Sequence, residues 1–187
     1  MMGLFFITGN ATKFLTAKNV LAKYGVELEQ QTIDVPEIQA IGGQEICEYS
    51  AQYAYARIKQ PLVVTDVSYH IRALNGFPGP YIKHINHWLK PEHLLALLAQ
   101  EQDRTVEIKE FLTYIDDKGM KTFSTTQQAK IATKVYDDTQ GFTIDKILIR
   151  EGYAQPQNTI PKEELQKFFE QNVYVWHNLG VYLNARK

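Results

Sequence analysis

Short apolar runs alternate along the chain with longer segments in which apolar residues recur every three or four positions. The runs Leu4–Ile7 and Leu62–Val64 predict strands that are buried on both faces. Val26–Ile33 alternates loosely between apolar and polar residues, which predicts a strand at a sheet edge. With helical segments between these strands, the order indicates an α/β architecture.

Two helices are predicted in this first part of the chain. Helical spacing follows the first apolar run and ends at Gly25, and it returns over Gln44–Ile58. In the second helix we expect one apolar face, formed by Ile46, Tyr49, Tyr53, Ala54 and Ile58.

Three further helices and a hairpin are predicted beyond the second apolar run. The segments with helical spacing are Tyr81–Leu89, Pro91–Ala99 and Lys162–Phe169. Thr105–Ile115 and Thr122–Thr133 alternate as antiparallel strands, joined by a turn at Asp116–Gly119. The segment Glu151–Thr159 is predicted to be a mobile loop.

The most informative stretch is Leu62–Tyr69, which is followed by the glycine- and proline-rich loop Leu74–Tyr81. Its apolar strand delivers the carboxylate of Asp66 to the far end, and the loop begins within a few residues. This arrangement suits the rim of an active site. A buried strand whose aspartate caps a turn has the same pattern, so the stretch alone favours neither interpretation.

Composition and charge exclude several classes of protein. Of the 187 residues, 44% are hydrophobic and 22% are charged, which suits a globular chain with a substantial core. The net charge is -1, so there is no basic excess for binding a nucleic-acid polymer, although a small phosphate site is compatible with it. Cys47 is the only cysteine, which excludes an internal disulfide and a multi-cysteine metal site.

The cysteine count and the length of the apolar runs also indicate the cellular compartment. A single cysteine favours a reducing environment. The first apolar run is too short for a signal peptide, and no apolar stretch approaches the ~20 residues of a membrane span. We therefore expect a cytoplasmic protein that does not contact a membrane.

The turn Thr8–Lys13 joins the first strand to the first helix. A strand, a glycine turn and a helix start form the geometry in which free backbone N–H groups and the positive helix end hold a phosphate. Lys13 would add a positive charge and Asn10 a side-chain amide, although the spacing of a Walker loop is missing. An ordinary helix N-cap by Thr8 or Asn10, with a solvated lysine, explains the same residues.

Several motifs occur in an order that matches one known family. Thr8–Lys13 is similar to a Thr-Gly-Asn-x-x-Lys phosphate motif, and Ile33–Gln39 is similar to an Asp-Leu-Pro-Glu-x-Gln segment. Val64–Asp66 with Ala73–Lys83 is similar to a central acid motif and its Gly-Pro-Gly loop, and Leu89–Glu92 continues the match. Together these motifs resemble the inosine triphosphate pyrophosphatase family over roughly the first half of the chain.

The resemblance implies a fold, an activity and an assembly. The fold would be a long twisted mixed sheet with flanking helices, forming two lobes around a central cleft in a single domain over residues 1–187. The activity would be Mg²⁺-dependent hydrolysis of non-standard purine nucleoside triphosphates to a monophosphate and pyrophosphate. Family members commonly form homodimers, and Gly76–Lys90 with Trp88 is a candidate contact region unless Trp88 belongs to the core.

The resemblance also implies a role for each matching residue. Glu37 and Asp66 would hold Mg²⁺, and Asp66 would take the proton from the attacking water. The implied substrate contacts are Thr8, Asn10 and Lys13 at the phosphates, with Phe142 as a stacking ring, Asp145 near the sugar or base edge, and His177 favouring a keto purine. A core phenylalanine and a structural histidine are the alternatives for Phe142 and His177.

Several residues depart from the family pattern, mostly at the implied substrate contacts. Thr65 stands where the family usually has a second acid, and Ser50 falls near a helical lysine of the family. Gly141–Asp145 is similar to the family's Gly-Phe-Gly-Trp/Tyr-Asp motif, but Thr143 and Ile144 replace the second glycine and the aromatic residue. Near the C-terminus, Asn172 or Gln171 falls where the family has a lysine, and Asn178 replaces an arginine. These departures predict altered or weakened base selectivity, with the phosphate end better preserved. The alternatives are a catalytically degenerate homologue that binds a nucleotide or a partner, and a related pyrophosphatase with pyrimidine or septum-related substrates.

Overall fold

The computed structural model describes residues 3–136 and 141–186. Its sheet has seven strands: β1 (Leu4–Ile7), β2 (Leu28–Gln31), β3 (Leu62–Ile71), β4 (Pro78–Gly79), β5 (Thr105–Asp116), β6 (Gly119–Ile131) and β7 (Leu148–Arg150). The strands are arranged in the order β2-β1-β3-β5-β6-β7, and β4 pairs with β3.

The α-helices of the described residues flank this sheet. They are α1 (Ala11–Ala22), α2 (Gly43–Ile58), α3 (Ile82–Trp88), α4 (Pro91–Leu97), α5 (Lys162–Asn172) and α6 (Tyr174–Asn184). Within the same residues, no helix combines the length and the apolar character that crossing a membrane requires. Every helix predicted from the apolar spacing is present, with its ends shifted by a few residues.

β1 lies at the centre of the parallel part of the sheet. It pairs with β2, where Leu4 lies opposite Leu28, and with β3, where Phe6 lies opposite Val63. Its side chains are covered on both faces, because Phe6 packs in the cluster that includes α1 and α6 while Ile7 packs in the cluster that includes α2. β2 is at the end of the strand order, which confirms the predicted edge strand.

β3 is longer than the sequence predicts, and Asp66 lies in its middle. The ten-residue strand continues through Ser68, Tyr69 and Ile71, all of which are buried. It pairs there with the short β4, where Tyr69 lies opposite Gly79. The prediction that Asp66 ends its strand is therefore wrong, because burial of the positions after it keeps the backbone extended.

β5 and β6 form the predicted hairpin, with Asp117 and Lys118 between them. A two-residue connection joins only antiparallel strands. β7 adds a further antiparallel strand, with Ile149 opposite Lys130 of β6. Parallel and antiparallel pairs occur in one sheet, which confirms the predicted mixed sheet with flanking helices.

The chain divides into two compact units, each with its own core. The first unit comprises residues 1–66, 110–125 and 166–187, and the second comprises residues 67–109 and 126–165. The first unit contains two apolar clusters, represented by Phe6, Leu21, Trp176 and Leu179 in one and by Cys47, Ala54 and Leu62 in the other. The second unit is filled by a cluster that includes Ile71, Leu94, Ile108, Ile147 and Leu148.

The buried face of α2 matches the predicted one only in part. Cys47, Ala51 and Ala54 are fully buried, and these small side chains let the helix approach β3 closely. The prediction is confirmed for Ala54. It is wrong for Tyr49, which is exposed and stacks on Tyr53 with ring centroids 6.2 Å apart, because the helix buries its small residues.

The end of the chain is tied to the β5–β6 hairpin through Asp116. Arg186, which follows α6, approaches Asp116 Oδ2 to 3.0 Å, and the Tyr114 hydroxyl donates to the same oxygen at 2.8 Å. Lys118 donates its backbone N–H to Asp116 Oδ1 at 2.9 Å. Burial opposes ionisation of this carboxylate, but its hydrogen bonds and the Arg186 charge prevail and lower the pKa of Asp116.

This arrangement makes stability depend on pH. Because the pKa of Asp116 is lower in the folded protein, its contribution is complete above the ordinary aspartate pKa of about 3.9 and is lost as the pH falls through the folded-state value. We expect Asp116→Asn to lower the free energy of unfolding by about 1–3 kcal/mol at pH 7, and the deficit to shrink below about pH 4. Urea unfolding of both proteins from pH 7 to pH 3 measures this.

Asp117→Asn is the matched control, because Asp117 is the exposed neighbour in the same turn. It should unfold like the wild-type protein at every pH. A deficit for Asp116→Asn that stays constant down to pH 3 would contradict the electrostatic explanation.

Candidate functional site

The turn between β1 and α1 has the geometry of a capped helix start. Asn10 is the N-cap residue, and its Oδ1 accepts the backbone N–H of Lys13 at 3.0 Å. Thr8 Oγ1 accepts the N–H of Asn10 at 3.1 Å, and the Gln30 side chain donates to the Thr8 carbonyl oxygen at 2.9 Å. These contacts fix the turn from both sides.

The helix cap leaves two backbone N–H groups and a lysine side chain of this turn unused. Ala11 and Thr12 open the helix, so their N–H groups have no acceptor within it. Lys13 is exposed and forms no ion pair within residues 3–136 and 141–186. The two interpretations of this turn are therefore compatible. The helix cap uses the Asn10 side-chain oxygen, whereas anion binding would use the N–H groups and the lysine charge.

Asp66 lies against the first turn of α2. A Cβ atom added to Gly43, the first residue of that helix, would lie 3.2 Å from Asp66 Oδ2 and 2.7 Å from Phe111 Cε2. Asp66 Oδ2 itself is buried. Only glycine leaves room for the carboxylate here, and the positive end of a helix favours a negative charge at this position.

Glu37, the second implied metal ligand, occupies the segment between β2 and α2 and is exposed. In the part of the chain that the structure describes, no three or more histidine, cysteine or acidic side chains form a metal-binding group. A donor set of two carboxylates suits an ion that takes its remaining ligands from water and substrate, which is the behaviour of Mg²⁺.

Cys47 lies in α2 against β3, the strand that carries Asp66, and it is not a nucleophile. Its Sγ donates to the Val64 carbonyl oxygen at 3.3 Å, and the residue is fully buried. Burial raises the pKa of the Cys47 thiol to about 12, and the nearby Asp66 charge adds to this. The thiol therefore stays protonated, and thiolate chemistry is excluded at this position.

Phe142 and Asp145 form one turn in the second unit. The Phe142 backbone N–H donates to Asp145 Oδ2 at 2.9 Å, and the Asp145 N–H donates to the Phe142 carbonyl oxygen at 3.0 Å. Gly141 has a φ of +84°, and an added Cβ would lie 3.0 Å from Asp145 Cβ, so the turn requires glycine there. The Phe142 ring is 64% exposed, which excludes the core alternative for this residue.

The two substituted positions of this motif, Thr143 and Ile144, are buried and contact α3. Thr143 Oγ1 donates to the Leu89 carbonyl oxygen at 2.6 Å, and the Ile144 N–H donates to Asn86 Oδ1 at 3.1 Å. The Ile144 side chain is 1% exposed and belongs to the core of the second unit. Both residues therefore anchor the turn to α3.

His177 bridges three helices. Its Nε2 lies 3.1 Å from the Glu170 carbonyl oxygen of α5, and its Nδ1 lies 3.0 Å from the Tyr24 hydroxyl, which follows α1. A carbonyl only accepts, so Nε2 carries a proton and Nδ1 of the neutral ring accepts from Tyr24. Both ring nitrogens are thus used inside the protein, and a base contact through His177 stays a prediction that requires one of these bonds to exchange.

The predicted site residues fall into two groups. Thr8, Asn10, Lys13, Glu37, Asp66 and His177 belong to the first unit, while Phe142 and Asp145 belong to the second. Contacts join Asn10 to Thr8 and Lys13, and they join Phe142 to Asp145.

Sequence reasoning misses Gly43 and Asn86. The Gly42-Gly43 pair before a helical pattern is a signal for close backbone approach, whereas no sequence signal identifies Asn86.

Comparison with known proteins gives a consistent result. The model of the Ham1 family matches residues 4–171. A dITP/XTP pyrophosphatase of Methanopyrus kandleri is 38% identical over 152 residues, which cover 81% of this chain and 80% of that protein. A dITP/XTP pyrophosphatase of Thermococcus kodakarensis is 32% identical over 163 residues, which cover 87% of this chain and 88% of that protein.

Two solved structures share the fold. The Ham1 protein of Staphylococcus aureus has a TM-score of 0.76 at 20% identity, and a HAM1 protein from Coxiella burnetii has a TM-score of 0.79 at 17% identity. Each comparison covers 99% of this chain and 100% of the other. The family match and the two relatives confirm the resemblance carried by the motifs: the chain belongs to the Ham1 family.

Proposed function

We propose that this protein is a Mg²⁺-dependent nucleoside triphosphate pyrophosphohydrolase. It cleaves a triphosphate between the α and β phosphates and releases a monophosphate and pyrophosphate. The observation that carries the proposal is the position of Asp66, whose buried Oδ2 lies against the start of α2 in the same unit as the turn Thr8–Lys13. The names of the curated relatives, dITP/XTP pyrophosphatases, support this activity.

The phosphate end of the substrate is bound by the turn Thr8–Lys13. The first N–H groups of α1 and the Lys13 ammonium group neutralise phosphate oxygens, and the free amide nitrogen of Asn10 orients them. Thr8 holds Asn10 in place through its hydroxyl. The same residues thus form the helix cap and position the triphosphate.

Glu37 and Asp66 are the carboxylates that would hold the metal ion. Mg²⁺ would supply positive charge to offset the charge of the phosphate oxygens. Asp66 takes a proton from the attacking water, the water oxygen bonds to the α phosphorus, and the bond from that phosphorus to the bridging oxygen breaks as pyrophosphate leaves. The fixed position of Asp66 orients it for this proton transfer.

The residues that we propose for the base end are Phe142 and Asp145 in the second unit and His177 in the first. The exposed Phe142 ring offers a stacking surface, and the turn it shares with Asp145 sets the direction of that ring. Ile144 is in the core and offers no second stacking surface, and Asn178 lacks the paired donors of an arginine. We therefore propose weak discrimination among bases.

Further features of the protein belong to the same proposal. We propose one domain over residues 1–187, a cytoplasmic location, and no nucleic-acid polymer or membrane as partner, in keeping with the net charge of -1. We also propose a homodimer. Trp88 is 67% exposed and stacks on His84 at 5.1 Å, so α3 presents an aromatic surface suited to a contact between copies.

Asp66→Asn tests the catalytic role. Loss of the proton acceptor should lower kcat about a hundredfold or more, with nucleotide binding retained. Pyrophosphate release with inosine triphosphate and Mg²⁺ measures kcat, and equilibrium titration measures nucleotide binding. Asp117→Asn, an exposed change of the same chemistry, is the control.

The outcomes separate the alternatives. Undiminished activity in Asp66→Asn would contradict the assignment of this residue. A wild-type protein that binds nucleotides but releases no pyrophosphate from any of them would identify the catalytically degenerate binder.

Gly43→Ala tests the placement of Asp66. The added methyl group would lie 2.7 Å from the Phe111 ring, which would have to shift, and 3.2 Å from Asp66 Oδ2, which is a tight contact, so we expect both side chains to move. We expect kcat to fall about tenfold or more, because small displacements of catalytic groups are costly. Gly42→Ala is the matched control, since a Cβ there meets nothing within 4 Å. Equal activities of the two variants would refute this placement.

A panel of triphosphates tests base selectivity. With Ile144 buried and Asn178 in place of an arginine, kcat/KM for inosine or xanthosine triphosphate should exceed that for adenosine triphosphate by less than about tenfold. A strong preference for inosine triphosphate would reject weakened selectivity, and a preference for pyrimidine triphosphates would favour the related pyrophosphatase.

A further inference from the structure

A chain of polar side chains lies beneath the turn that carries Phe142. Gln157 Nε2 donates to Asp145 Oδ1, Arg150 Nε donates to Gln157 Oε1 at 2.8 Å, and an Arg150 terminal nitrogen donates to Gln127 Oε1 at 3.3 Å. Asp145 Oδ2 in turn accepts the Phe142 N–H at 2.9 Å. These hydrogen bonds thus connect Gln127 of β6 to the backbone of Phe142, whose ring is exposed.

Its two central members are buried. Arg150 is 4% exposed and Gln157 is 6% exposed, although an arginine is seldom placed so far from water. A buried charge requires hydrogen-bonded compensation. The side-chain amide of Gln157 connects the arginine to the carboxylate of Asp145.

The arrangement allows one orientation of the amide. Arg150 has donors only, so the side-chain oxygen of Gln157 faces it and the side-chain nitrogen faces Asp145. Asp145 then has one carboxylate oxygen on Gln157 and the other on the Phe142 backbone. Burial raises the pKa of Asp145, while the Phe142 N–H, the Gln157 amide and the Arg150 charge act against this and favour the ionised acceptor.

Each oxygen of Asp145 therefore accepts a hydrogen bond from the protein, and the Phe142 ring is the exposed part of the turn. The segment predicted to be a mobile loop supplies Gln157, and its neighbour Pro156 is also buried. This segment is packed beneath the turn at that point.

We propose that Gln157 and Arg150 are positioning residues for nucleobase recognition. They fix the carboxylate of Asp145, which holds the turn that presents the Phe142 ring to the base. The inference rests on the proposed function and adds residues to its base end. Both residues are buried beneath the turn, so we expect them to affect the affinity for the base and not the chemical step.

Gln157→Leu tests this, because leucine fills the space and removes both bonds of the amide. We expect KM for inosine triphosphate to rise about tenfold and kcat to change less than about twofold. The inhibition constant of inorganic triphosphate, which has no base, should stay the same. Gln155→Leu is the matched control: it is the same substitution two residues away on an exposed side chain, and it should behave like the wild-type protein.

A second pair of variants addresses the charge. Arg150→Met removes it, and Arg150→Lys keeps a donor and a charge, so the lysine should restore most of the nucleotide affinity lost in the methionine variant. A purely structural role would lower the unfolding midpoint of both variants and leave the ratio of nucleotide to inorganic triphosphate affinity unchanged.

Hydrogen exchange of the Phe142 amide provides a readout that is independent of activity. The bond to Asp145 should slow this exchange in the wild-type protein, and Gln157→Leu should accelerate it about tenfold or more, with the amides of β1 unaffected. Unchanged exchange, or unchanged nucleotide KM in a folded Gln157→Leu protein, would overturn the inference. Absence of pyrophosphate release by the wild-type protein would instead overturn the proposed function, and nucleotide dissociation constants of the same variants would then decide the positioning role.

Discussion

The close packing of α2 against β3 is the contact on which the candidate site depends. Cys47, Ala51 and Ala54 are fully buried along the helix, and Gly43 at its start leaves no side chain between the backbone and Asp66. Small residues let the two elements approach, and the approach brings the positive end of the helix to the carboxylate. The same packing fixes Asp66 in the middle of a ten-residue strand, where the backbone cannot move independently. A catalytic acid needs a fixed position of this kind.

The two ends of the proposed substrate are held by different kinds of structure. The turn Thr8–Lys13 is a helix start whose cap and anion-binding groups are adjacent backbone and side-chain atoms, so local sequence builds nearly all of it. The turn Phe142–Asp145 is held by contacts from α3 and from a buried polar chain that includes Arg150 and Gln157. The turn Phe142–Asp145 therefore depends on residues distant in sequence, whereas the turn Thr8–Lys13 does not.

The departures from the family pattern acquire physical roles in the fold. Thr143 donates to a carbonyl oxygen beside α3, and Ile144 fills the core of the second unit, so both stabilise the turn that they belong to. His177, which matches the family pattern, uses both ring nitrogens between Tyr24 and Glu170, and this ties α6 to α1 and α5. These residues lie in or beside the proposed base contacts and also stabilise the surrounding helices, so we expect their substitution to affect both base binding and stability.

The sequence by itself determined the helices, the strands and the positions of the motifs, because apolar periodicity and helix-start signals act over a few residues. The mixed sheet followed from the family resemblance that the motifs carry. It identified the turn Thr8–Lys13 and singled out Asp66, but it placed Asp66 at the end of its strand and Tyr49 of α2 on the wrong face. Only the tertiary structure decided that Gly43 lies against Asp66 and that Gln157 joins Arg150 to Asp145. The reason is physical: these contacts join residues from separate elements, and local patterns carry no information about which surfaces meet.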